Sequence, residues 1–151
     1  IAAQLLTDAA IIKITGYDGG FETGPLNDDP DTATYSSQHF KALGKAQTYD
    51  VAVRVWQLDA GDAQKRYGAL LDSLPKVEER NEIANRSLRA SENNIHGIAF
   101  LDGQRGIVVL ITCGYDQCKS SDVAEKLAEH IYDNIKKLIP LRAVGQLGGG
   151  R

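Results

Sequence analysis

The sequence predicts an α+β fold: an antiparallel sheet of about five strands with helices packed on it, in the order α-β-β-α-β-β-β-α. Three observations carry that expectation. The apolar residues alternate with period two in several short segments and with period 3.6 in others, so both element types are present. The strand-like segments come in hairpin-linked groups and do not alternate singly with helices, which disfavours a parallel βαβ sheet. The chain has 151 residues, 42% of them hydrophobic, enough for one domain with a real core. Residues 1–140 are expected to form that domain and residues 141–151 a tail.

Residues 4–16 read as a helix, with Leu6, Ala9, Ala10, Ile11 and Ile14 on its apolar side. Thr7 and Asp8 are cap types, and Gly16 sits where a helix C-terminal glycine belongs. Residues 17–32 are rich in Gly, Pro, Asn and Asp and read as a long loop, which at that length is functional or mobile. Strands follow at Ala33–Phe40 and Thr48–Leu58. In the second, Val51, Val53 and Val55 share one face, and Ala52, Arg54 and Trp56 the other, which Trp56 implies is partly covered. A helix is expected from Gly61 to Leu74, with a stripe of Ala63, Tyr67, Leu70, Leu71 and Leu74. Asp59 or Asp62 can cap it, and Pro75 follows its end.

The charged run 76–86 fits either a loop or a helical turn. Strands come next at Ser87–Ser91, Ile95–Leu101 and Ile107–Cys113, the last two joined by a tight turn at 102–106. The IVVLITC run reads as a central strand buried on both faces. The final helix begins at the Ser120-Ser121 caps, carries Ala124, Leu127, Ala128, Ile131, Ile135 and Leu138 in one stripe, and stops at Pro140.

Charge and motifs narrow the function classes. Seventeen basic against twenty acidic residues give −3, which offers no field for nucleic acid or for an electrostatic grip on a membrane. The longest apolar run, Ile107–Ile111, cannot span a bilayer. Gly-x-Ser-x-Gly, Gly-x-Gly-x-x-Gly and Walker patterns are absent. His39, His96 and His130 fit no metal-ligand spacing, and no metal or cofactor is expected. The acidic loop Asn27, Asp28, Asp29 and Asp31 lacks the glycine and closing glutamate of a calcium loop. Asn85-Arg86-Ser87 matches a glycosylation acceptor, which matters only in a eukaryotic secretory route.

Cys113 and Cys118 are five apart, between the central strand and the final helix. They fit a short structural disulfide, with free buried thiols and redox chemistry as the rival readings. A disulfide would imply an oxidising compartment. The chain opens on Ile1 and holds no methionine, so it is expected to be processed, a removed secretion signal being one explanation. The Gly148–Arg151 tail is expected to be held by neighbours. Tyr17, Tyr35, Tyr49 and Tyr115 fall in loops or at strand ends, where tyrosine marks either a binding surface or the rim of a core.

The layout Leu5-Leu6-Thr7-Asp8…Ile11…Ile14-Thr15-Gly16, then Tyr35, the Val51-Val53-Val55 strand, the helix with Tyr67, Ile98–Leu101, Ile107–Leu110 and the Ala124–Ala128 helix resembles small exported bacterial lipoproteins of mostly unknown function. The likeness spans about 135 residues. It departs where such proteins often carry a cysteine, since Gln4 and Tyr35-Ser36 stand there. It implies an extracytoplasmic chain, periplasmic or at the cell surface, and adds no catalytic residue. The expected role is a non-enzymatic structural or interaction subunit that docks onto a protein partner or a membrane-anchored complex. Partner contacts are expected at Tyr17, Phe21, Pro25 and Leu26 in the long loop and at Leu141, Val144 and Leu147 in the tail. The alternative is a carrier of a small apolar ligand or lipid, held between sheet and helices.

Overall fold

The computed structural model describes residues 1–44 and 50–142. It is α+β, built on one antiparallel sheet of seven strands, two more than expected. The strands are β1 (Phe21–Gly24), β2 (Tyr35–Ala42), β3 (Val51–Gln57), β4 (Val77–Glu79), β5 (Arg86–Glu92), β6 (Ile95–Asp102) and β7 (Ile107–Gly114). The helices are α1 (Ala2–Leu5), α2 (Asp8–Thr15), α3 (Ala60–Ser73) and α4 (Ser121–Leu138). The spatial order is β1-β2-β3-β7-β6-β5-β4. The chain lays down three strands, crosses under α3 to the far edge, and meanders back. Its last strand then enters beside β3.

Two strands lie where none was expected. β1 sits inside the Gly- and Pro-rich segment 17–32, and β4 inside the charged run 76–86. Both are edge strands of three or four residues, too short to show alternation. The expected helix over 4–16 is two helices, parted at Leu6, whose backbone is extended (φ −142°). Thr7 caps the second by accepting the Ala10 N–H at 3.2 Å, and Gly16 ends it in the left-handed region (φ 75°). The β5–β6 turn places Asn93 and Asn94 at φ 53° and 66°, as a two-residue hairpin turn requires.

The period-two patterns set which face each strand buries. Phe40, Val51, Val53, Val55, Ile98, Phe100, Val109 and Ile111 point to one face, where α1, α2 and α4 cover them with Leu5, Leu6, Ile11, Leu127, Ile131 and Ile135. Leu88, Ala99, Leu101, Val108 and Leu110 point to the other, under Ala63, Tyr67 and Leu70 of α3. β7 lies at the centre of the sheet and is buried on both faces, as its sequence predicts. Burying these side chains is the main stabilising term.

Polar ties lock the layers. Asp102, 2% exposed, receives the Arg105 guanidinium at 2.9 Å and the Tyr132 hydroxyl at 3.1 Å. Arg105 also donates to the Ile139 carbonyl at 2.7 Å, so the β6–β7 turn grips the end of α4. Asn134 of α4 donates to the Leu5 carbonyl at 3.0 Å. Cys113 and Cys118 form a disulfide, their Cα atoms 5.8 Å apart and both side chains fully buried. It ties the end of β7 to the segment that enters α4. No helix among the described residues is long and apolar enough to cross a membrane.

Candidate functional site

The two faces of the sheet are unequally covered. One carries three helices. The other carries α3 alone among the described residues, and α3 sits on β6 and β7. It reaches β3 only at its margin, where Trp56 and Leu58 are partly buried against it. Among the described residues, no α-helix therefore covers the second faces of β1, β2 and most of β3. Their strand alternation presents Glu22, Tyr35, Ser37, His39, Lys41, Ala52, Arg54 and Trp56 there.

At the outer end of this half, the segment after β1 folds back over β2. The Ser37 hydroxyl accepts the Leu26 N–H at 2.9 Å and holds it. A single 3-10 turn follows, with Asn27 and Asp28 in the left-handed region at φ 55° and 58°. Between this segment and the strands lies a polar cleft of about 410 Å³, lined by Glu22, Pro25, Asn27, Asp28, His39 and Lys41 among others. Asp50 lies behind the His39 of this cleft. That carboxylate is nearly buried and accepts the Ala42 N–H at 2.8 Å, while its second oxygen meets His39 Nε2 at 2.8 Å. The imidazole is held in one orientation by a fixed acid. The charged and polar lining suits binding of polar groups.

At the inner end, Trp56 has neighbours of two kinds. Tyr35 lies beside it with ring centroids 5.5 Å apart, and the Arg66 guanidinium sits 5.1 Å over its ring. A second cleft of about 350 Å³ adjoins, lined by Leu58, Asp62, Lys65, Arg66 and Ala69.

The loop residues expected to meet a partner are divided between the faces. Tyr17 lies tilted against Phe21, ring centroids 5.3 Å apart, and Phe21 meets Phe40 edge-on at 6.2 Å, so Phe21 extends the helix-covered core. Pro25 is exposed and lines the polar cleft, with Leu26 half-buried beside it. Leu141 is exposed, while Arg142 donates from its backbone to Gln104 and from its guanidinium to Leu58. Val144, Leu147, the Gly148–Arg151 tail and Tyr49 lie outside the described residues. Arg54 and Arg66, which carry this face, were not singled out by sequence. Trp56 on the Arg54 face was the available signal.

The three histidines are separate. His39 is in the polar cleft, and His130 pairs with Asn134 on α4 at 3.2 Å. His96 is buried, with Nδ1 2.9 Å from the Ser91 hydroxyl and 3.1 Å from that of Ser121, and its ring stacks on Tyr115 at 4.3 Å. Burial first, and the nearby Arg89 second, hold the His96 imidazole below the usual histidine range. No group of three or more His, Cys, Asp or Glu among the described residues is placed to hold a metal ion.

No family model matches the chain, and no curated protein matches it. Among solved structures, a GTP binding regulator from Thermotoga maritima is similar, with a TM-score of 0.49 and 10% identity over 91% of this chain and 93% of that one. At that score the likeness carries no argument about this chain.

Proposed function

We propose that this chain is a non-enzymatic, extracytoplasmic interaction subunit that docks on a protein partner, alone or in a membrane-anchored complex. The observation that carries the reading is the helix-free half of the sheet. Three helices cover one side of the sheet, yet among the described residues no α-helix covers the part of the other side that carries Tyr35, Arg54 and Trp56, with Arg66 of α3 at its margin. Tyr, Trp and Arg are the residue types that carry most binding energy in protein interfaces. The buried disulfide supports the compartment, because such bonds persist where the surroundings are oxidising.

A photo-crosslinking residue in place of Ala52 tests the docking face in envelope fractions. The expected result is a protein adduct of one discrete mass, lost in the Trp56→Ala chain and absent when the probe replaces Lys137 on α4. Adducts of equal yield at both positions, or none at 52, would overturn it.

A carrier role has one observation in its favour. A cleft of about 220 Å³ at the end of α3 is lined by Leu74, Pro75, Ala90, Ile95, Gly97 and Leu110. It is smaller than most ligand pockets. Saturable binding of an apolar fluorophore, blocked by Leu110→Trp, would favour that role, and binding indifferent to Leu110→Trp would remove it.

A further inference from the structure

Ten of the described cations meet no carboxylate within 4.0 Å, and four of them lie on or beside the half of the sheet that no α-helix covers. Arg80, Arg86, Arg89 and Arg105 each meet a carboxylate within 3.1 Å. Among the described residues, Lys41, Arg54, Lys65 and Arg66 meet none within 4.0 Å. All four lie on or beside the second faces of β2 and β3. Arg66 rests on the Trp56 ring, which satisfies its flat surface and leaves its in-plane N–H donors unused by any acid. Arg54 lies two residues from Trp56 on the same face of β3. A chain of net charge −3 thus carries a local cationic strip beside an aromatic pair.

We propose that this strip binds a short acidic segment of a partner protein, its carboxylates on Arg54 and Arg66 and its apolar groups against Trp56 and Tyr35. The inference rests on the docking reading above and names the chemistry of the partner. A planar guanidinium matches a carboxylate through two parallel hydrogen bonds. Desolvation beneath a partner would strengthen pairs that are weak when exposed. The strip is short, and acids bound it. Glu22 and Asp28 line the polar cleft at one end, and Asp62 lines the cleft beside Arg66 at the other. A nucleic acid or an anionic bilayer would extend past the cations onto these acids and be repelled, whereas a short run of carboxylates would not.

Trp56 is the only tryptophan, so its emission reports on this site alone. The full chain is titrated with an oligoglutamate peptide, with phosphatidylcholine–phosphatidylglycerol vesicles and with a single-stranded oligonucleotide. The peptide is expected to shift the emission saturably, with a midpoint that weakens as salt rises from about 0.05 to 0.2 M. Arg54→Gln and Arg66→Gln are each expected to weaken the midpoint about tenfold. Lys137→Gln is expected to leave it unchanged. The readout is the midpoint and not the starting spectrum, since Arg66→Gln alters the surroundings of Trp56. Thermal unfolding at the wild-type temperature shows that each variant is folded, and Arg54→Lys serves as a milder second variant. No saturable peptide response, a response indifferent to both glutamines, or a response to vesicles or oligonucleotide alone overturns the inference. A discrete adduct at position 52 without a peptide response would sink the acidic partner and keep the docking face, whereas loss of the adduct would sink the docking face itself.

Discussion

Asp102 shows how much one side chain can hold. It is buried, and it joins the β6–β7 turn to α4 through Arg105 and Tyr132. Asp102→Ala strands the Arg105 guanidinium in a half-dry place, and is expected to cost about 3–5 kcal/mol in urea unfolding. Asp102→Asn keeps the shape and some hydrogen bonds, and should cost less. His96 makes a different prediction, one of pH. Its imidazole is held below the ordinary value, so the unfolded chain takes up a proton first as pH falls. Stability is therefore unaffected well above about pH 6.5, and falls below it until the folded form also protonates. Glu79, held low mainly by Arg86, and Asp122, held low by Arg89, contribute in the same direction but only below their ordinary values near 4. Urea midpoints measured from pH 7 to pH 5 should decline in the native chain and lie nearly flat in His96→Gln. An equal decline in both would remove His96 as the cause. The disulfide closes a short loop, so Cys113→Ala with Cys118→Ala is expected to cost about 2 kcal/mol by the loop-entropy argument. A melting temperature lower by roughly 5 °C would match.

At the scale of elements, legibility followed length and periodicity. α3 and α4 were readable because each repeats its apolar stripe over several turns and starts at a cap, Asp59 for α3 and Ser120 for α4. β7 was readable because a run of branched apolar residues has no wet face. β1 and β4 were not, for a physical reason. A strand of three or four residues at a sheet edge, such as Val77–Glu79, needs only its backbone hydrogen bonds and makes few side-chain demands. The break in the first helix was equally hidden. Leu6 is apolar and buried and fits a helical stripe, and only tertiary contact with the sheet draws its backbone out. Thr7 marks that break, and Thr7→Ala is expected to cost about 1 kcal/mol, measurable by thermal unfolding. The candidate site was partly legible. Trp56 marked the second face of β3, and Pro25 lies in the segment that lines the polar cleft. The pairing of His39 with Asp50 and the approach of Arg66 to Trp56 are products of register and helix placement, which no local pattern records.

Across the whole molecule, the two meanders β1-β2-β3 and β4-β5-β6-β7 meet along a single line, the pairing of Val51–Gln57 with Cys113–Ile107. Amide exchange should be slowest in β6 and β7, where both neighbours are paired and both cores press, and fastest at the edges β1 and β4. Faster exchange in β7 than in β1 would contradict this arrangement. The same line has a temporal consequence. Whenever the chain emerges from its N-terminus, β3 stands with an unpaired edge until residues 107–114 arrive. An open edge of that kind recruits strands from other molecules. The half-made protein is thus most adhesive in the interval between its third strand and its seventh, and the final strand both completes the sheet and ends that exposure.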